Sequence, residues 1–131
     1  MEDRVLVELA LRMRKRAYAP YSGYRVGAAL LSASGQVFTG CNVENAVYPL
    51  GLCAERVAVF KAISEGEHRF TAIAIATENG GAPCGACRQV LSEFASDLRI
   101  LLVDAKGHVR ETSLQALLPE PFGPRDLQEV R

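Results

Sequence analysis

FTAIAIATENGGAPCGACRQVLSEFASDLRILLV, residues 70–103, is the stretch whose reading decides the fold. Phe70 to Ala76 and Arg99 to Val103 read as strands, bounded by turn-forming residues. Between them, Cys84 to Ser96 reads as a helix. Val90, Leu91 and Phe94 continue at helical spacing the stripe begun by Cys84 and Cys87. Working outward, Cys53 to Glu65 fills a second helical slot, and His108 to Glu111 is a short strand after a Lys-Gly turn. Upstream, Arg25 to Leu31 and Gln36 to Cys41 read as a hairpin joined by Ser-Ala-Ser-Gly. Strand, helix, strand, helix, strand predicts right-handed crossovers. The expected class is α/β, a three-layer αβα sandwich with a mixed, mostly parallel five-stranded sheet.

The ends of the chain are consistent with one unit. From Glu2 to Arg16, Val5, Leu6, Leu9, Ala10 and Met13 mark the apolar face of an amphipathic helix. Arg12, Arg14, Lys15 and Arg16 lie on its other side and read as a solvated face whose cations complement the helix dipole. In the tail from Leu117 to Arg131, Pro119, Pro121 and Pro124 preclude a long helix and leave Phe122 in an irregular segment. There is no internal repeat or linker, so residues 1–131 are expected to form a single domain.

Composition narrows the function. The 131 residues are 49% hydrophobic and 23% charged, as in a globular protein. Lys plus Arg and Asp plus Glu number 15 each, so no bulk positive field draws the chain to nucleic acid or an anionic membrane. A small neutral substrate suits it better. The apolar runs Val26 to Leu31 and Ile100 to Val103 fall far short of the ~20 residues of a membrane span. With no export signal at the N-terminus, a cytoplasmic address is expected. In that compartment the four cysteines point to metal binding or catalysis and not to disulfides.

Cys84-Gly-Ala-Cys87 alone suits either a metal or a thioredoxin-type redox pair. Each helix N-terminus lowers thiol pKa, and thiolate is the metal-binding form. Cys53 opens the other helix, followed at once by Ala54 and Glu55. Two helices starting at one sheet edge bring Cys53, Cys84 and Cys87 around one point with a carboxylate beside it. Three ligands are the count of a catalytic zinc, whereas a fourth from Cys41 would make a closed structural site.

The run Cys53-Ala-Glu55 followed by Pro83-Cys-Gly-Ala-Cys87 resembles the signature of zinc-dependent nucleobase deaminases. With Pro20-Tyr-Ser, Val26-Gly-Ala-Ala-Leu-Leu, Gly40-Cys-Asn-Val-Glu-Asn-Ala46, Cys53-Ala-Glu-Arg56 and Pro83-Cys-Gly-Ala-Cys-Arg-Gln-Val90 in order, the chain resembles the small homotetrameric cytidine deaminases over nearly its whole length. Leu117-Leu-Pro and Phe122 match the family's C-terminal end.

That resemblance implies one Zn2+ per subunit on Cys53, Cys84 and Cys87. It implies hydrolytic deamination of cytidine and deoxycytidine in pyrimidine salvage, with zinc-activated hydroxide attacking C4 and Glu55 shuttling protons. It further implies that Asn42 and Glu44 bind the ribose, and that the Ala54 N–H meets the pyrimidine O2. Arg56 would offset the thiolate charge, with Arg88 a second candidate for that work. Tyr48 and Phe122 would complete a neighbouring subunit's pocket in a homotetramer with composite sites. Tyr24 stands where the family commonly has phenylalanine against the base, and its hydroxyl needs a partner. His68 and His108 lie outside every motif.

Within the same chemistry, a blasticidin-type deaminase shares Asn-Val-Glu-Asn and Cys-Ala-Glu, but Tyr48-Pro49 and Glu55-Arg-Val-Ala58 favour the nucleoside enzyme. A polynucleotide deaminase usually carries His-Ala-Glu and more positive charge. A redox protein predicts reversible Cys84–Cys87 oxidation without metal. A structural zinc module predicts dependence on Cys41.

Overall fold

The computed structural model describes residues 1–128. Its elements are α1 (Asp3–Arg14), β1 (Gly27–Ser32), β2 (Val37–Cys41), a 3-10 turn at Tyr48–Leu50, α2 (Ala54–Ser64), β3 (Phe70–Ala76), α3 (Gly85–Phe94), β4 (Arg99–Val103), β5 (Val109–Ser113), α4 (Leu114–Leu117) and α5 (Pro124–Gln128). Residues 129–131, the end of the proline-rich tail, lie outside the described residues. The 3-10 turn, α4 and α5 are short additions to the expected elements. Ser113 caps α4 by accepting from the Ala116 N–H at 3.1 Å. Phe122 lies between α4 and α5 in irregular chain, as the prolines require.

Strand alternation sorts the core into two layers. Ala28, Leu30, Ile73, Ile75, Ile100 and Leu102 pack under α2 and α3. Ala29, Ala72, Ala74, Ala76, Leu101 and Val103 turn to the other face and meet Leu6, Val7 and Ala10 of α1. The alanine row of β3 lets α1 settle close to the sheet. Gly27 carries this furthest, since a Cβ there would fall 2.1 Å from the Ala10 carbonyl oxygen. The expected three-layer α/β sandwich is thus present.

The strand directions differ from expectation. Sheet order is β2-β1-β3-β4-β5, and only β3–β4 is a parallel pair. β1 is antiparallel to both β2 and β3, and β4 to β5. The reason is local: a four-residue link from β1 to β2 and a five-residue link from β4 to β5 are too short for a parallel crossover. The β2-α2-β3-α3-β4 run does keep its strands co-directional, but the hairpin partner β1 inserts between β2 and β3. Because β2 and β3 still point the same way, α2 and α3 both begin at one edge of the sheet.

Arg14 is not part of a solvated face. Its Nε donates to the Arg25 carbonyl at 3.2 Å and its Nη2 to the Glu78 carboxylate at 2.6 Å, bridging the segments that precede β1 and follow β3.

Candidate active site

Cys53 is the N-cap residue of α2 and Cys84 that of α3. Cys87 lies one turn further along α3 and is fully buried. Their sulfurs lie within 4.8 Å of one another. Four-coordinate zinc with Zn–S bonds near 2.3 Å spaces its sulfurs by about 3.8 Å, so the cluster matches a thiolate zinc site to within about 1 Å. Cys41, at the end of β2, does not join the cluster. The closed four-cysteine arrangement therefore has no support among the described residues.

Charge in the cluster is divided unevenly. The Cys53 thiol is pulled down to about 5, chiefly by a hydrogen bond from the Cys87 thiol and then by Arg56. Cys87, bonded to Cys53 and desolvated, is pushed up. Arg56 Nη2 donates to Cys53 Sγ at 3.3 Å, while its buried Nε has no hydrogen-bond partner among the described residues. A cation is thus committed to the point where thiolate charge accumulates. Arg88 does other work: its Nε and Nη1 donate to the Pro83 and Leu117 carbonyls at 2.8 and 2.9 Å. It braces the chain before Cys84 against α4 and is not seen bonded to a ligand sulfur.

Glu55 sits in the first turn of α2 and is only 4% exposed. Burial, opposed by its backbone hydrogen bond and assisted by the nearby Cys53 charge, raises its pKa to about 7. A carboxyl poised near neutrality can accept and return a proton. Ala54 is the first residue of α2, where the helix leaves an N–H without an internal partner.

A cavity of about 420 Å3 opens beside the cluster, lined by Cys53 and Arg56 together with Asn42, Glu44, Tyr21, Ser22 and Tyr48 among others. That volume lies within the usual range of small-molecule sites. Asn42 and Glu44 reach the same cavity because Val43 between them is bridged to Tyr18 and Leu52 in extended backbone. Asn42 also holds the loop before β1, accepting from the Val26 N–H and donating to the Tyr24 carbonyl, both at 2.8 Å. Glu44 accepts from the Tyr21 and Ser22 N–H groups at 2.9 and 3.0 Å and from the Ser22 hydroxyl. These bonds, the Ser22 hydroxyl foremost, hold its carboxyl below the ordinary range.

The aromatics divide. Tyr48 lines this chain's own cavity and meets Tyr21 edge-on at 5.7 Å. Phe122 lies in a second hollow, with Phe60, Val90 and Phe94. Gln89 grips Phe122 at both ends, donating to its carbonyl and accepting from its N–H. Tyr24 finds its hydroxyl partner in Asn79, Oη to Oδ1 at 2.8 Å. Neither Ser22, Gln89 nor Asn79 had been given a role from the sequence. Ser22 and Gln89 stand inside matched motifs, but Asn79 stands in a Gly-rich loop with no motif to single it out. His108 pairs with Asp104 in the exposed β4–β5 turn at 3.2 Å.

Fold and site define a three-layer α/β protein with a cluster of three cysteines placed to bind a metal ion and a buried carboxyl at one edge of its sheet. The profile described as "Cytidine and deoxycytidylate deaminase zinc-binding region" matches residues 1–102. The chain is 43% identical to a cytidine deaminase of Sporosarcina psychrophila over 97% of its length and 96% of the relative's. It resembles the crystal structure of cytidine deaminase from Burkholderia pseudomallei with a TM-score of 0.88 at 50% identity, covering 93% of this chain and all of that one. The Mycobacterium tuberculosis enzyme's structure gives 0.82 at 42% identity, covering 94% and 98%. The chain belongs to the zinc-binding cytidine and deoxycytidylate deaminase family.

Proposed function

We propose that this chain hydrolyses cytidine and deoxycytidine to uridine and deoxyuridine with release of ammonia, as an enzyme of pyrimidine salvage. The observation that carries the reading is the three-sulfur cluster with buried Glu55 beside it, next to a cavity lined by Asn42 and Glu44. Cys53, Cys84 and Cys87 hold one Zn2+ per subunit. The metal supplies Lewis acidity, which makes water a competent nucleophile near neutral pH.

The chain's own groups do the rest. Glu55 takes a proton from the water that adds to C4 and delivers it to N3, then takes the remaining proton from the C4 hydroxyl and passes it to the amino group as the C4–N bond breaks and the C4 carbonyl forms. Its pKa of about 7 suits both directions of transfer. Arg56 offsets the thiolate charge. Asn42 and Glu44 take the ribose hydroxyls, a role supported by the Ser22 and Tyr21 bonds that orient the Glu44 carboxylate. The Ala54 N–H receives the pyrimidine O2, and the Tyr24 ring lies against the base.

Exposed Val47, Tyr48, Leu50, Phe60 and Phe122 support burial between subunits. The assembly we propose is a homotetramer whose Tyr48 and Phe122 complete neighbouring sites. Residues 1–131 act as one catalytic domain. No helix among the described residues is long and apolar enough to cross a membrane. The neutral charge balance supports a nucleoside and not a nucleic acid as substrate, and we place the enzyme in the cytoplasm.

The test pairs zinc content per chain with ammonia release from cytidine, using Glu55→Gln purified in parallel. Zinc in both proteins with turnover at least ~10²-fold lower in the variant is expected. Zinc without turnover in the wild type would reject the substrate assignment.

A further inference from the structure

Tyr24 is tied at three points. Its N–H donates to Ser22 Oγ at 3.0 Å and its carbonyl accepts from Asn42 Nδ2 at 2.8 Å. Its hydroxyl donates to Asn79 Oδ1, also at 2.8 Å. The first two bonds join the backbone to the residues that hold or flank Glu44. The third joins the far end of the ring to the loop that leads into Pro83-Cys84. Asn79 Oδ1 is itself held in place, accepting from the Gly81 N–H at 3.2 Å and the Thr77 hydroxyl at 3.4 Å. Gly81 permits the approach, since a Cβ there would lie 3.0 Å from Tyr24 Oη and 3.3 Å from Asn79 Oδ1.

A second fastener runs alongside. Arg14 bonds the Arg25 carbonyl and the Glu78 carboxylate, the immediate neighbours of Tyr24 and Asn79. The two segments are therefore held together with or without the Tyr24 hydroxyl. What that hydroxyl adds is a hold on the far end of its own ring, which is 40% exposed. A phenylalanine cannot be held at its far end in this way.

We propose that Asn79 is a positioning residue for substrate binding, fixing the Tyr24 ring in the orientation that receives the base. This rests on the cytidine deaminase reading above. A ring already placed loses no rotational freedom when substrate binds, so the benefit falls on binding and leaves proton transfer at Glu55 untouched.

The experiment is steady-state kinetics of the zinc-loaded enzyme on cytidine for wild type, Tyr24→Phe, Asn79→Ala and the double variant. Tyr24→Phe removes one oxygen and leaves the ring, while in Asn79→Ala the Gly81 N–H keeps its 3.0 Å bond to Thr77 Oγ1. Each single variant is expected to raise KM about 2- to 10-fold, the worth of one hydrogen bond, with kcat within about twofold. The double variant should be no worse than the more affected single one. An unchanged KM in Tyr24→Phe, a loss confined to kcat, or two effects that multiply would overturn the role of Asn79. A wild type without cytidine turnover would reject the function itself and this role with it.

Discussion

Gly40 of β2 lies so close to the first turn of α2 that a Cβ on it would sit 2.5 Å from the Ala54 carbonyl oxygen and 2.8 Å from the Ala58 nitrogen. The turn it touches carries Cys53, Ala54 and Glu55. A glycine in the sheet therefore sets the height at which a metal ligand and the buried carboxyl stand.

Gly40→Ala should push α2 outward and destabilise the fold by about 1–3 kcal/mol, with zinc affinity falling as Cys53 moves. Gly85, between Cys84 and Cys87, has no atom within 4 Å of the place a Cβ would take. Gly85→Ala, at the start of α3, should retain zinc and gain up to about 1 kcal/mol. Thermal melts with zinc analysis of both variants check the contrast.

The ligand set predicts which cysteine is dispensable. Cys41→Ser should leave zinc content unchanged, because Cys41 is outside the cluster. Serine at position 53, 84 or 87 should each lower it sharply. Loss of metal from Cys41→Ser on atomic absorption would instead support a closed site.

Glu55 makes the stability of the metal-free protein depend on pH in a definite direction. Its folded pKa of about 7 lies above the ordinary 4.5, so its favourable contribution is full below about pH 4.5 and is lost as pH rises to about 7. Cys53, lowered to about 5, runs oppositely, its contribution growing from pH 5 to 9. Comparing wild type with Glu55→Gln isolates the carboxyl. The variant should gain on the wild type by up to about 3 kcal/mol between pH 4.5 and 8, measured by denaturation with a chelator and reductant present. A constant difference across that range would show that Glu55 does not titrate there.

Arg56→Gln should release Cys53 towards ordinary thiol behaviour. Alkylation of Cys53 in the metal-free protein should then show its midpoint shifted upward from about 5, though not fully, because Cys87 still donates to it. Zinc affinity should fall about 10- to 100-fold, the usual effect of removing a hydrogen bond to a metal ligand. An unmoved midpoint would deny Arg56 its part.

Much of this was legible because it is written in short-range patterns. Cys84 and Cys87, one turn apart, share a helix face by geometry, and Cys53-Ala-Glu55 places a carboxyl in the first turn of its helix. Asn42 and Glu44 share a cavity by alternation. What could not be read were contacts between segments distant in sequence. The Tyr24–Asn79 bond spans 55 residues and Arg88–Leu117 spans 29. Arg14 looked like a surface cation because nothing in its helix reveals Glu78.

The sequence by itself determined the order of the main elements, the α/β class and the shared helix face of Cys84 and Cys87, because periodicity and spacing act within a helix or strand. The tertiary structure alone decided that β1 lies between β2 and β3, antiparallel to both, because a short hairpin link dictates direction but not which strand pairs on the other side. It alone decided how far Glu55 is buried, and so where its pKa lies. Burial depends on what the rest of the chain packs around a group, and no local pattern contains that.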